Sequence, residues 1–447
     1  MMIVRCPDNN FQERSYIIEI ILKDFLGLEY QVEVQENFNK YEIILRNQKK
    51  IIIKDSFFCK YEKPLSYLKL ENIPNNILWF KHHFTNGESI PILYGTPDIY
   101  IYNDTVFIGI DIFASSFFML TRWEEFVNTV RDEHGRFPGK ESIAYKNDFL
   151  DKPIVNQYLE TLKNVILYLD NNIKFKKHKK KTFVTCDLDY IYKPHVNSLY
   201  KTARKAIGDL VKRRNAREFI STIKDYVSSC DSYYKNIFYI MDINEKFGNI
   251  VDFYIIPLKT SHYDPYIKLD KIKSVIEIIS IRGHKIGVHP GYETYNNPKK
   301  FKKTIDEFMK LIDIIGVKQE NFGGRQHFLR WDSSITPLLW SKNALSYDTT
   351  LSYADIAGFR CGVCYEFPLF DYLNRQKLNT NEIPLIAMDI SVIGNKYEGL
   401  GFTEKALYRF LELKEKCHRY NGIFTLLWHN SFFESDNSKE IYETIIK

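Results

Sequence analysis

The segment Thr182-Phe-Val-Thr-Cys-Asp-Leu-Asp-Tyr190 decides the reading of this chain. Its apolar start has the character of a buried strand, and that strand runs into two carboxylates, Asp187 and Asp189. Residues i and i+2 of a strand share a face, so both side chains reach one small volume. Carboxylates that close repel unless a cation or a shared proton lies between them. The sharp reading is a metal site with one liganding Asp and one free Asp acting as base. The plain alternative is a solvated strand end carrying two ordinary acids.

Four further stretches favour the first reading. In Gly283-His-Lys-Ile-Gly-Val-His-Pro-Gly-Tyr-Glu293, a short apolar strand stops at His289, and Pro290-Gly291 forces a turn. Neutral imidazole is a good zinc ligand, and a strand end is rigid enough to aim it. Gly323-Gly-Arg-Gln-His-Phe-Leu-Arg-Trp331 is another strand end, where Arg325 can hold a carboxylate and His327 can face the same space. Ser346-Tyr-Asp-Thr-Thr350 supplies Asp348, and Thr425-Leu-Leu-Trp-His-Asn430 delivers His429 after an apolar run. Acids and imidazoles repeated at strand ends suit an α/β barrel, whose active site is built at the carboxyl ends of its strands.

Around these stretches the chain has ordinary globular composition: 447 residues, 45% hydrophobic and 26% charged. That length predicts more than one domain. The 31 Tyr and 32 Phe suit a carbohydrate-facing surface or a compositional bias equally well. Residues 1–29 lack the long apolar core of a signal peptide, no uncharged apolar run approaches membrane-spanning length, and seven scattered cysteines form no disulfide framework. The expected location is cytoplasmic. Cys361-Gly-Val-Cys364 reads as a reduced structural pair, because no thioredoxin-like order of elements surrounds it.

The net charge is +6, but the cations cluster at residues 174–181, at 204–217 and at 299–303. Such runs are commonly solvated faces. Their functional alternative is attraction to an anionic surface, either a membrane leaflet (peripheral association) or a sugar pyrophosphate. Nucleic acid is not expected, since no recognised binding motif accompanies the charge.

Residues 1–150 read as a smaller α/β domain, with a helix over 16–25, strands over 41–45, 50–53 and 99–102, and a helix over 111–126. The aromatic stripe Phe113, Phe117, Phe118, Trp123 and Phe126 is expected in a core or domain interface. A helix over 155–169 and the basic run make residues 151–181 a linker. From 182 to 447 strands and helices alternate as in parallel α/β folds, with strands over 183–186, 250–256, 285–288, 321–324, 385–388 and 423–428 and a helical insertion at about 198–246.

Over roughly residues 180–435 these motifs, in this order, resemble the polysaccharide deacetylase family (NodB-like, carbohydrate esterase family 4). The resemblance implies a distorted (β/α)7 barrel following the N-terminal α/β domain. It implies Asp187 as base, Asp189 and His289 as ligands of a divalent metal ion, zinc above all, Arg325 orienting the base, and His429 as general acid with Asp348 as its support. Lys285 stands where the family's second motif has an acidic residue, Glu293 where it has a second histidine, and His327 where its third motif has proline. His327 or Glu293, or else His195 or His262, is expected to complete the ligand set, with His327 the leading choice.

The activity so implied is metal-dependent hydrolysis of an N-acyl group, above all N-acetyl, on an amino sugar of surface polysaccharide biosynthesis, nucleotide- or lipid-linked. Two other classes remain open: a different carbon–nitrogen hydrolase or glycosidase on the same fold, and a non-catalytic sugar-binding protein. The sequence leaves the oligomeric state open.

Overall fold

The computed structural model describes residues 1–196, 198–228, 231–265, 269–433 and 435–447. It contains two compact units. Unit 1 comprises Met1–Lys181, Phe328–Ile386 and Leu413–Phe424; unit 2 comprises Thr182–His327, Ala387–Glu412 and Thr425–Lys447. Residues 328–386 and 413–424 thus fall with unit 1 and not with the rest of the 182–447 segment.

In unit 1 a mixed six-stranded sheet runs in the order Tyr30–Gln35, Met2–Pro7, Lys40–Ile44, Lys50–Lys54, Thr105–Ile110, Gly95–Tyr102. The helix Phe11–Ile18 continues as a π-helix over Glu19–Phe25, and Ile17, Ile18, Ile20, Ile21 and Leu22 are all buried. Asp111 caps Ile112–Thr121 by accepting from Ala114 N–H, which satisfies one of the free amides of the first turn. Phe113, Phe117, Phe118 and Trp123 are fully buried, as expected, whereas Phe126 is exposed. Tyr16 packs on Phe370 with ring centroids 4.5 Å apart.

A buried ionic cluster holds this unit together. Arg122 pairs with Glu124 at 2.7 Å and Glu125 at 2.9 Å, and Arg360 reaches Glu125 at 2.5 Å. Cys361 and Cys364 are buried free thiols. The Cys364 amide donates to Asn156 Oδ1 at 3.1 Å, a structural role.

Unit 2 carries the parallel strands. Lys181–Leu188, Val251–Ile255, Lys285–Val288 and Gly323–Gly324 lie side by side in that order; on the other flank of Lys181–Leu188 come Ile423–Leu427 and then Ala387–Met388. All five residues of Val251–Ile255 are buried, the pattern of a strand covered on both faces. The mixed α/β class agrees with expectation, but this set does not close into a barrel. Its two flanking strands, Gly323–Gly324 and Ala387–Met388, are two residues long and do not pair with each other. The strand order is open, with Ala387–Met388 at an edge. The helical insertion contains Leu199–Ile207, Ala216–Ser228 and Ser232–Lys246, with residues 229–230 outside the described ones.

Register brings the strand ends level. Leu188 pairs Ile255, Ile255 pairs Val288, and Val288 pairs Gly324. Asp189, His289 and Arg325 therefore follow directly at one edge, and Asp389 and His429 follow the other two strands. Ligand sites of open α/β sheets form outside these carboxyl ends.

Candidate metal centre

Gly324 allows the closest approach at this edge. A Cβ there would lie 1.8 Å from the Val288 carbonyl oxygen, so only glycine fits. The Arg325 amide donates to Val288 O at 3.1 Å, and His289 Nδ1 donates to Arg325 O at 2.6 Å. With Nδ1 committed as donor, the Nε2 of neutral His289 carries a lone pair. It faces Asp189 Oδ1 at 3.4 Å and Asp187 Oδ2 at 3.5 Å.

His327 is held in the same manner. Its Nδ1 donates to Asp264 Oδ1 at 2.8 Å, and its Nε2 lies 3.6 Å from Asp189 Oδ1. Asp264 is fixed in turn by the amides of Thr260 and Ser261, at 2.7 and 3.0 Å, and by that of Tyr292 at 2.8 Å. Burial opposes ionisation of Asp264, yet its bonds to His327 and Thr260 hold the carboxyl well below the usual range. A carboxylate behind a ligating histidine is the arrangement that orients imidazole toward a metal.

One ligand atom each from Asp189, His289 and His327 lies within 4.8 Å of the others, the separation of donors around a single ion. Asp189 Oδ1 is buried and has no hydrogen-bond partner among the described residues. Buried acceptors are nearly always paired, so an orphaned carboxylate oxygen facing two imidazole lone pairs fits a cation. Despite burial, His327 and His289 keep the Asp189 carboxyl ionised well below its ordinary range. Burial would lower the His289 imidazole, but Asp187 and Asp189 raise it. The residues present fit a divalent ion.

Two supported side chains flank the cluster. Arg325, fully buried, donates from Nη1 to Asp187 Oδ1 at 2.8 Å and from Nη2 to Thr185 Oγ1 at 3.0 Å. His429 Nε2 lies 3.8 Å from Asp189 Oδ2, while its Nδ1 donates to Asp389 at 2.9 Å. Asp389 also accepts the His429 amide at 2.6 Å. Burial disfavours the imidazolium, but Asp389 overcomes it and lifts His429 to about 9.

Of the expected residues, the structure gathers Asp187, Asp189, His289, Arg325, His327 and His429. Asp348 is a correction. The partner of His429 is Asp389, and Asp348 belongs to unit 1, where it accepts from Thr350 Oγ1 at 2.5 Å. It lies against Glu382, whose carboxyl burial and Asp348 push well above its ordinary range. Glu293 is a surface residue paired with Lys300. His195 and His262 are outside the donor cluster. Sequence reasoning missed Asp264 and Asp389. Asp264 has no local signal, but Asp389 ends the apolar run 385–388, the same signature that marked Asp187.

Residues 2–171 match a family described as "Family of unknown function (DUF7033)". Among curated proteins none matches the chain. Three solved structures share a partial likeness. One is the "putative polysaccharide deacetylase from Mycobacterium smegmatis", 14% identical, with 61% of this chain and 84% of that one covered and a TM-score of 0.41. The second is "Puue Allantoinase", 13% identical, covering 49% and 69% with a TM-score of 0.34. The third, the "probable Polysaccharide deacetylase from Pseudomonas aeruginosa PAO1", is 13% identical and covers the same shares with a TM-score of 0.33.

Proposed function

We propose that this protein is a metal-dependent hydrolase that removes an N-acyl group, in the first instance N-acetyl, from an amino sugar. The observation carrying the proposal is the convergence of Asp189, His289 and His327 between two supported groups, Asp187 on Arg325 and His429 on Asp389. Two imidazoles and a carboxylate suit zinc among the divalent ions. Such an ion, when held there, polarises an amide carbonyl and acidifies water.

The remaining work falls to the chain's own side chains. Asp187 takes a proton from the attacking water, and the Arg325 guanidinium holds it pointed inward. His429, protonated below about pH 9, delivers a proton to the departing amine nitrogen. Asp389 holds Nδ1 so that Nε2 faces the site. Burial of Arg325, Asp389 and His289 limits competing water around these transfers.

The choice of an amino sugar rests on the sequence resemblance. It is tested by incubating zinc-loaded protein with N-acetylated amino sugars and measuring acetate and free amine. Acetate released in step with amine supports the reading. Formate or a linear-amide product points to another carbon–nitrogen hydrolase, a new reducing end to a glycosidase, and binding without turnover to a sugar-binding protein.

A further inference from the structure

In unit 2, Leu199–Ile207 runs on through a π-helical turn, Gly208–Lys212, and packs against Ala216–Ser228 as a helical hairpin. The seam between the two helices is polar. Asp209, fully buried, accepts from Thr222 Oγ1 at 2.9 Å, Lys205 Nζ at 2.7 Å and Arg213 Nη1 at 2.5 Å. Thr202 and Thr222 are buried beside it.

The outward faces are apolar. Leu199, Ala203, Ile207 and Leu210 recur at helical spacing and are exposed, as are Ala216, Ile220, Ile223 and Val227 on the second helix. Val227 is 76% exposed and Ile220 63%. A helix pair built for water hides its apolar stripe and shows its polar one; this hairpin does the reverse. Its exposed apolar residues are interleaved with exposed cations, among them Lys201, Arg204, Lys212, Arg214, Arg217 and Lys224.

We infer that the hairpin of residues 199–228 docks unit 2 on an anionic lipid bilayer, its aliphatic side chains entering the headgroup boundary and its lysines and arginines contacting lipid phosphates. The charge decides the occupant. A protein groove of ordinary composition needs the aliphatic stripe, but eight basic against three acidic residues over 198–228 match a continuous negative surface. The hairpin follows Asp189 closely in the chain, and Lys193 anchors its base through Asp225 at 2.9 Å and Asp231 at 2.8 Å. Docking therefore brings the unit that holds the metal centre to the bilayer, where a lipid-linked amino sugar is the accessible substrate. That consequence rests on the amidohydrolase reading; the docking does not.

The test is co-sedimentation of the full chain with phosphatidylcholine vesicles, with and without phosphatidylglycerol, over a range of salt. Binding is expected only with phosphatidylglycerol and is expected to weaken as salt rises. Removing two cations as Lys212→Ala with Arg214→Ala should weaken it about 30-fold, at roughly a tenfold loss per 1.4 kcal/mol and about 1 kcal/mol per cation. Ile207→Asp with Ile220→Asp should abolish it while the circular dichroism stays that of the parent. The inference is overturned by no binding at low salt, or by binding that the aspartate pair leaves unchanged. It is equally overturned if that pair abolishes self-association in lipid-free solution and leaves lipid binding intact, which would make a second copy the occupant.

Discussion

Asp264 Oδ1 accepts the Nδ1–H of His327 at 2.8 Å, and this bond leaves His327 Nε2 as an electron-pair donor 3.6 Å from Asp189 Oδ1. A residue with no motif of its own thus orients toward the donor cluster a histidine standing at a proline position of the resembling family. Loss of such a support weakens metal affinity about 10–100-fold. Asp264→Ala should do so, and Asp264→Asn, which keeps an acceptor oxygen, should do so less. Titration against a chelating indicator measures both, and equal affinity in all three proteins would remove Asp264 from this role.

Asp187 and Asp189, two residues apart, differ in their partners: Asp187 accepts from Arg325, and Asp189 Oδ1 faces His289 and His327. Asp187→Asn should lower kcat by about 10²–10⁴-fold, the usual worth of one acid–base group, while metal content stays at the parental level. Turnover surviving in that variant would exclude Asp187 as the base. Loss of metal would instead show that Asp187 is a ligand.

The His429–Asp389 pair is expected to set the alkaline limit of activity. Burial lowers the His429 imidazole and Asp389 raises it further, to about 9. In the proposed mechanism the protonated form is the acid, so activity is expected below that pH and is expected to fall as pH rises through it. Asp389→Asn removes the chief raising influence and should move the alkaline limb of kcat to lower pH. A limb that stays where it was would mean another group is the acid.

Unit 1 depends on a buried charge pair. Arg360 and Glu125 are both fully enclosed, with Arg360 Nη2 at 2.5 Å and Nε at 2.9 Å from the carboxylate. Removing Arg360 leaves two buried carboxylates, Glu124 and Glu125, on the single charge of Arg122, so Arg360→Ala should cost about 3–5 kcal/mol. Urea unfolding would reveal this, and a loss below about 1 kcal/mol would place the pair among surface-like bridges.

Much of the site was legible because parallel strands deliver side chains at their carboxyl ends, and each such strand is an apolar run with a polar stop. Asp187, His289, Arg325 and His429 were found by that sign, and Asp389 carries the same sign after residues 385–388. Asp348 misled because it too follows a short strand, yet it is tied to Thr350. Asp264 was invisible: it acts from an irregular segment, and only tertiary contact with His327 reveals it. The expected barrel failed because the strand order stays open, with Ala387–Met388 at an edge, a property of backbone pairing that hydrophobic pattern does not encode. Glu293 held the position of a missing ligand in the resembling motif, but Lys300 claims it at the surface.

Asp189, His289 and His327 are proposed to share one cation. This is tested most directly by elemental analysis of gently purified protein beside the folded variants Asp189→Ala, His327→Ala and Glu293→Gln. One divalent ion per chain is expected in the parent and in Glu293→Gln, and none in the other two. A parent that takes up no divalent ion, or a His327→Ala protein that retains it in full, would contradict the account.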